Sequence, residues 1–401
     1  MLFVNILIAL ILGISAGIIT GLVPGIHVNL VSVLLISFSA VLLTYTSPIL
    51  LAVFIISLAI THTFLDSIPS IYLGAPDEAQ ALNVLPGHRL LNRGEGHNAI
   101  VYTVIGSLGA LILGIIFFPF FILSMAKIYP LVKGLIGYLL IVIMFLMIWK
   151  EKGKRLKSLL AFLLAGCLGM TIFSIPNLEQ PLFPLLSGLF GFSILLVSLF
   201  QKSKIPEQKD KPLSISRKNI VKSVSAASGV GFIAAFLPGF GSSQAAIVAT
   251  NIVGDIGDEG FLSLVGGINT ANMLISIATV YVLGKARNGA IVTVNTLLGA
   301  VGYQEMILFL GVALITGGVA ALLAIKISKI FSRYIVKINY HYLVIGILIF
   351  ITLLTLYFDS FIGLIILATS TAIGLVTSSW NVGKNHLMGC LILPVILYFI
   401  L

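Results

Sequence analysis

The sequence predicts an all-α polytopic membrane protein built as an inverted-topology repeat with Pro-Gly broken helices or re-entrant hairpins. Three observations lead there. Of the 401 residues, 59% are hydrophobic and only 9% charged. With a mean hydropathy of +1.16, no soluble domain has this balance, and lipid is the solvent for most of the chain. Apolar runs recur from end to end, whereas a membrane β-barrel would show short alternating segments. One stretch is also used twice, as Gly17-Ile-Ile-Thr-Gly-Leu-Val-Pro24-Gly25-Ile-His27-Val-Asn29 and as Gly231-Phe-Ile-Ala-Ala-Phe-Leu-Pro238-Gly239-Phe-Gly241-Ser242-Ser243-Gln244.

Each copy sets Pro-Gly in an apolar run and follows it with small polar residues. Proline removes a backbone donor and glycine admits unusual dihedrals, so a helix should break there. In lipid such a break survives only where protein or a water-filled cavity satisfies the freed backbone groups. Two breaks at corresponding places in two halves point to a transport site.

In chain order, the first set of apolar stretches falls near 2–22, 27–45, 49–73, 98–126, 134–149, 158–175 and 181–200. The N-terminus lacks the basic region of a signal peptide, so 2–22 is read as a retained helix. The second set falls near 219–237, 243–253, 261–283, 289–301, 305–325, 340–357, 360–378 and 386–401. Most are long enough to span a bilayer, but 243–253 and 289–301 suit half-helices or re-entrant arms. The polar, basic stretch Gln201 to Lys218 contains two prolines and reads as a cytoplasmic linker. Residues 1–201 then form a first repeat, 202–218 the linker and 219–401 a second, inverted repeat. Whether Pro24-Gly25 lies near the midplane of a hairpin or at the cytoplasmic edge of two spans stays open; the short return arm at 243–253 favours the hairpin.

Orientation follows from basic loops. Those at 88–97, 150–157 and 326–337 hold Lys or Arg and read as cytoplasmic, while 176–180 and 358–360 hold none and read as external; Lys127 and Lys133 are exceptions in a short external turn. Equivalent elements then point in opposite directions. The register between the halves is visible in single residues. Pro238 lies 214 positions after Pro24. Gly284 of Val280-Tyr-Val-Leu-Gly284 lies 210 positions after Gly74 of Ile71-Tyr-Leu-Gly74. His62 and Asn272 each precede these glycines by twelve positions, which sets Asp66 opposite Ser276.

Candidate site residues come from the breaks and from polar groups inside apolar runs. Free N–H groups at half-helix N-termini favour anions, and freed carbonyls can hold Na⁺ or take part in proton traffic. Pro24, Gly25 and Asn29 in one copy, and Pro238, Gly239, Ser242, Ser243 and Gln244 in the other, are candidate substrate-binding residues; the plainer alternative is helix capping. Asn269, Thr270 and Asn272, after Gly266-Gly267, join them as candidates for binding substrate or for holding helices together. Thr61, His62 and Asp66 form the candidate ion-coupling group. An intramembrane acid is costly without a cavity or partner, and His62 and Asp66, four apart, share a helix face. Lys285 and Arg287 are candidates for attracting an anion or for setting orientation, with Asp77 and Glu78 at the matching place in the first half.

Several classes are excluded. The net charge of +10 sits in a few inter-helix loops, as orientation signals do, so nucleic acid is not expected as a partner. Cys167 and Cys390 are isolated and read as small hydrophobes. No metal cluster, nucleotide motif or soluble catalytic domain is present, so the sequence predicts a non-enzyme without cofactor, with Na⁺ or H⁺ as candidate coupling ion.

The two Pro-Gly motifs, the Gly74-to-Ala99 region and the Gly266-to-Asn272 region resemble the large membrane subunit of tripartite tricarboxylate transporters, the TctA family. The likeness runs in motif order over nearly the whole chain. It departs at Thr61-His-Thr-Phe-Leu-Asp66, at Leu85-Pro-Gly-His-Arg89 and in the separation of Asn269 from Asn272, which marks a divergent, archaeal-type branch. The resemblance implies an inverted-repeat fold and import of carboxylates on ion gradients. It also implies a small membrane subunit and an extracytoplasmic binding protein as partners. The expected function is secondary active transport of a small organic anion by alternating access, in the cell membrane, with a homo-oligomer as one arrangement. Translocation of a lipid-linked anion such as a polyprenyl phosphate, and a non-transporting membrane scaffold, stay open as alternatives.

Overall fold

The computed structural model describes residues 2–24, 28–75, 79–176, 178–200, 206–209, 211–236, 241–285, 288–335 and 340–400. The chain is all-α, and no strand occurs among the described residues. The first half comprises α1 (Leu2–Leu22), α2 (Val28–Ser37), the short α3 (Ser39–Leu42), α4 (Pro48–Leu65), α5 (Ser67–Leu73), α6 (Val84–Asn92), α7 (Gly96–Ile116), α8 (Phe118–Lys133), α9 (Ile136–Lys150) and α10 (Arg155–Phe173). It closes with α11 (Leu182–Leu186) and α12 (Ser193–Phe200), joined by a π-helical turn, Ser187–Phe192. The second half comprises α13 (Arg217–Phe236), α14 (Ser242–Val253), α15 (Gly257–Leu283), α16 (Gly289–Leu298), α17 (Tyr303–Ile335), α18 (Tyr340–Ser379) and α19 (Gly389–Ile400). Among the described residues seven helices, counting α4 and α5 as one, are long and apolar enough to cross a membrane. The protein is a multi-pass membrane protein.

Several stretches differ from the expectation. The stretch expected as one helix over 98–126 is two, interrupted at Phe117, because Pro119 cannot donate to Ile115 and its ring crowds that carbonyl. The basic stretch expected as a loop at 326–337 is helical through Ile335, so Lys326, Lys329 and Arg333 lie on α17. The loop expected at 358–360 shrinks to one residue, Ser360, at φ 53° and ψ −150° inside α18. The expected linker is docked where it is described. Gln208 Oε1 accepts from the Gly96 N–H (2.8 Å), Lys209 N–H donates to Gly94 O (2.8 Å) and Asn98 Nδ2 donates to Lys211 O (3.0 Å). The first of these bonds satisfies the Gly96 N–H, a donor at the start of α7 that its own turns leave free.

At the centre stand α15 and the α4–α5 pair, buried along nearly their whole length. The packing α15 makes with α7 and α13 is close because small residues line it. A Cβ at Gly106 would lie 1.7 Å from Ser263 O, so α7 and α15 touch backbone to backbone. On α4, Ser57 and Thr61 face Gly13 and Gly17 of α1; on α15, Gly267 and Ala271 face Ala227 and Gly231 of α13. Gly74 and Gly284 both end their helices in the left-handed conformation, at φ 64° and 60°, which glycine adopts without steric cost. Outside this centre α9, α10, α11, α12, α18 and α19 pack mainly on one another. Neither Cys167 nor Cys390 is in a disulfide.

Candidate functional site

The local sequence decides where the polar groups gather. Pro69 cannot bond back to Leu65, so the α4–α5 helix is interrupted one turn earlier, at Asp66. Asp66 is 3% exposed, and a buried carboxylate needs donors. It has them from both halves: Gln80 Nε2 donates to Oδ1 (2.8 Å) and Asn269 Nδ2 to Oδ2 (2.6 Å). His62 Nε2 lies 4.0 Å from Oδ2, one turn before it, and His62 Nδ1 lies 3.2 Å from Thr20 Oγ1 of α1. Asn83 donates to Gln80 Oε1, so the amides chain their N–H groups toward the acid. Thr63 and Thr270 share a hydrogen bond of 3.1 Å between α4 and α15. The structure thus joins His62, Asp66, Asn269 and Thr270, which the sequence placed in two groups. Thr61 is buried against Gly17, and its Oγ1 has no hydrogen-bond partner.

A second cluster lies three residues further along α15. Asn272 Nδ2 donates to Ser242 Oγ (3.2 Å) at the first turn of α14. Met273 Sδ accepts from Asn288 Nδ2 (3.4 Å), just before α16. The N-termini of α14 and α16 therefore meet α15 at the same level. Asn288 caps α16 by accepting from Ile291 N–H (2.8 Å). On α14, Ser242, Ser243 and Gln244 are all buried, and the Gln244 Oε1 atom has no hydrogen-bond partner.

The first half reaches this cluster through α2. Asn29 lies against Gly289, where a Cβ would sit 2.4 Å from Asn29 Oδ1. Four residues on, Thr293 Oγ1 donates to Ser32 O (3.5 Å). Both numbers rise together, so α2 and α16 run parallel with their N-termini side by side. At ten residues each, about 15 Å, neither spans a bilayer. Two like dipole ends side by side repel.

Pro24 lies just past the end of α1 and is half-buried. Gly25, Pro238 and Gly239, with His27, Asp77, Glu78 and Arg287, lie outside the described residues. Among the side chains of the clusters that escaped the sequence reading are Gln80, Asn83 and Asn288. Asn288 carried a signal, because Asn before Gly289 and after the Gly284 stop has the form of a helix cap. Gln80 and Asn83 carried none, since ordinary amides in a polar stretch read as loop.

A family model described as the tripartite tricarboxylate transporter TctA family matches residues 7–389. The chain belongs to this family. An uncharacterized protein of Methanocaldococcus jannaschii is 29% identical over 356 residues, which cover 86% of this chain and 88% of that one. No solved structure matches. As a TctA protein the chain is a component of a transport system, a family of transporters rather than of enzymes, and such systems are tripartite and act on a substrate.

Proposed function

We propose that this TctA protein is the permease of an ion-coupled importer that moves a small organic anion, a carboxylate, by alternating access. The observation that carries the reading is the buried start of α14. Ser242, Ser243 and Gln244 lie inside the protein beside Asn272, at the level where α16 and, through Asn29, α2 also present their N-termini. Each helix N-terminus carries about half a positive charge, and three of them favour an anion.

Two inverted repeats are part of the proposal, and helix contacts support them. Gly13 meets Ser57 and Gly17 meets Thr61, while Ala227 meets Gly267 and Gly231 meets Ala271. The second pairs repeat the first at offsets of 214 and 210, the register of the two prolines and the two glycines. Between the equivalent helices α4 and α15, Thr63 meets Thr270 and Asp66 meets Asn269, so the two run in opposite directions there. Asp66 with His62 is the proposed ion-coupling group, working with Na⁺ or H⁺. The small membrane subunit and extracytoplasmic binding protein of tripartite systems are its proposed partners.

Uptake into proteoliposomes tests the reading. A carboxylate from a broad panel should accumulate under an imposed Na⁺ or proton gradient and stop when the gradient is collapsed. The absence of gradient-dependent uptake of any panel member, with the binding protein and small subunit supplied, overturns it.

A further inference from the structure

Five cations, Lys150, Lys152, Lys154, Arg155 and Lys157, stand within eight positions where α9 turns into α10, with one acid, Glu151, among them. Two of the cations are used inside the fold: Lys150 Nζ donates to Asn251 Oδ1 (3.1 Å) and Lys154 Nζ to Asn381 O (2.7 Å). The acid is also engaged, with Glu151 Oε1 3.4 Å from His386 Nε2. Lys152, Arg155 and Lys157 are exposed, and no acid lies in the first turn of α10 to balance them. Setting the orientation of the chain needs basic residues in this loop but no particular geometry.

Arg155 has a particular geometry. Its guanidinium carbon lies 4.0 Å from the centre of the Trp149 ring, and its Nε donates to Trp149 O (3.0 Å). One face of the guanidinium and its inner N–H are thereby occupied. The terminal Nη groups have no partner among the described residues, and a guanidinium held in its plane matches two oxygens of a phosphate. The helix that leads to this turn is open to lipid. Trp149 is exposed and stacks on exposed Phe145, with ring centres 5.7 Å apart. Val142, Phe145, Leu146 and Trp149 form one exposed apolar stripe along α9, at helical spacing. A tryptophan at the end of an apolar helix marks the headgroup level of the bilayer. A phosphate at Arg155 therefore lies where its lipid tail meets the stripe.

We propose that this turn is a binding site for the phosphate of an anionic phospholipid. Arg155 donates to two phosphate oxygens through its terminal nitrogens, Lys152 and Lys157 supply surrounding positive charge, and one acyl chain lies along the α9 stripe. A zwitterionic lipid offers the same phosphate but brings an ammonium toward three cations, so the site selects headgroups with net negative charge. It uses no residue of the clusters around Asp66 and Asn272, and it stands whatever the cargo is.

The chain has two tryptophans, Trp149 and Trp380, so Trp380→Phe leaves Trp149 as sole reporter. Lipids brominated on the acyl chain quench a tryptophan that they touch. In proteoliposomes of the full chain, brominated phosphatidylglycerol should half-quench Trp149 at a mole fraction about tenfold or more below that of brominated phosphatidylcholine, since each basic residue at the surface is worth about fivefold. The triple variant Lys152→Gln, Arg155→Gln, Lys157→Gln should bring the two lipids within about twofold. Arg155→Lys keeps the charge and loses the fork, and should fall between. All three positions are exposed, so the substitutions leave the fold intact. Native mass spectrometry of the wild-type protein released from mixed-lipid nanodiscs reads the same preference with no tryptophan variant.

Equal quenching by the two lipids, with equal retention in the mass spectrometer, overturns the proposal. A preference that survives in the triple variant overturns the assignment to this turn. An Arg155→Lys protein indistinguishable from wild type overturns the paired hydrogen bonds given to Arg155.

Discussion

Asn269 Nδ2 donates to Asp66 Oδ2 at 2.6 Å, across 203 positions of sequence. The bond ties the interruption between α4 and α5 in the first half to the middle of α15 in the second. Gln80 fills the other carboxylate oxygen, so the acid is held by one amide from each half.

Removing Asn269 should therefore cost more than an ordinary side-chain truncation. Asn269→Ala leaves a buried carboxylate oxygen without its donor and should lower stability by about 1–3 kcal/mol. Asn269→Gln, longer but still a donor, should recover part of the loss. Thermal unfolding in detergent measures both, and an Asn269→Ala protein as stable as wild type would show that the bond holds nothing.

The contact between α7 and α15 sets a steric limit. Gly106→Val places its Cβ 1.7 Å from Ser263 O before any shift and should abolish folded protein, read as loss of a monodisperse peak in size-exclusion chromatography. Gly229→Ala, on α13 with nothing within 4 Å of its added Cβ, is the control and should be neutral or slightly stabilising.

Gln208 bridges the linker to α7, accepting from Gly96 N–H and donating to Leu91 O and Pro206 O. Gln208→Ala should cost about 1 kcal/mol through the lost cap. It should also speed hydrogen exchange at residues 94–98 and 206–214. Exchange unchanged in both segments would mean that the linker holds its place without this side chain.

The ion pair between Arg89 Nη2 and Asp258 Oδ1, 2.6 Å, also joins the halves, but Arg89 is 52% exposed. Solvent screens such a pair, and Arg89→Ala should change stability by less than about 1 kcal/mol. A larger loss would show that its carbon stem packs as well.

By itself the sequence determined the helical membrane class and the extents of most helices, but not the interruptions at Asp66 and Phe117. The class and the extents follow from local causes: apolar run length, proline without a donor, glycine at a left-handed cap. It singled out Asp66 and His62 because an acid in an apolar run has no local explanation. It named Asn269 and Asn272 but did not show that one faces Asp66 and the other Ser242, three residues apart on one helix. Only the tertiary structure decided the partners. Gln80, Asn83 and Asn288 are chemically ordinary amides, and what makes them matter is which buried group lies within 3 Å or so. For Asp66 and Asn269 that distance depends on how closely helices from two halves approach, which Gly106 and Gly266 set through backbone contact and which local sequence does not encode. The same reason explains the linker and α17. A basic stretch reads as a loop by charge alone, yet it docks or stays helical when the rest of the fold gives its backbone a partner.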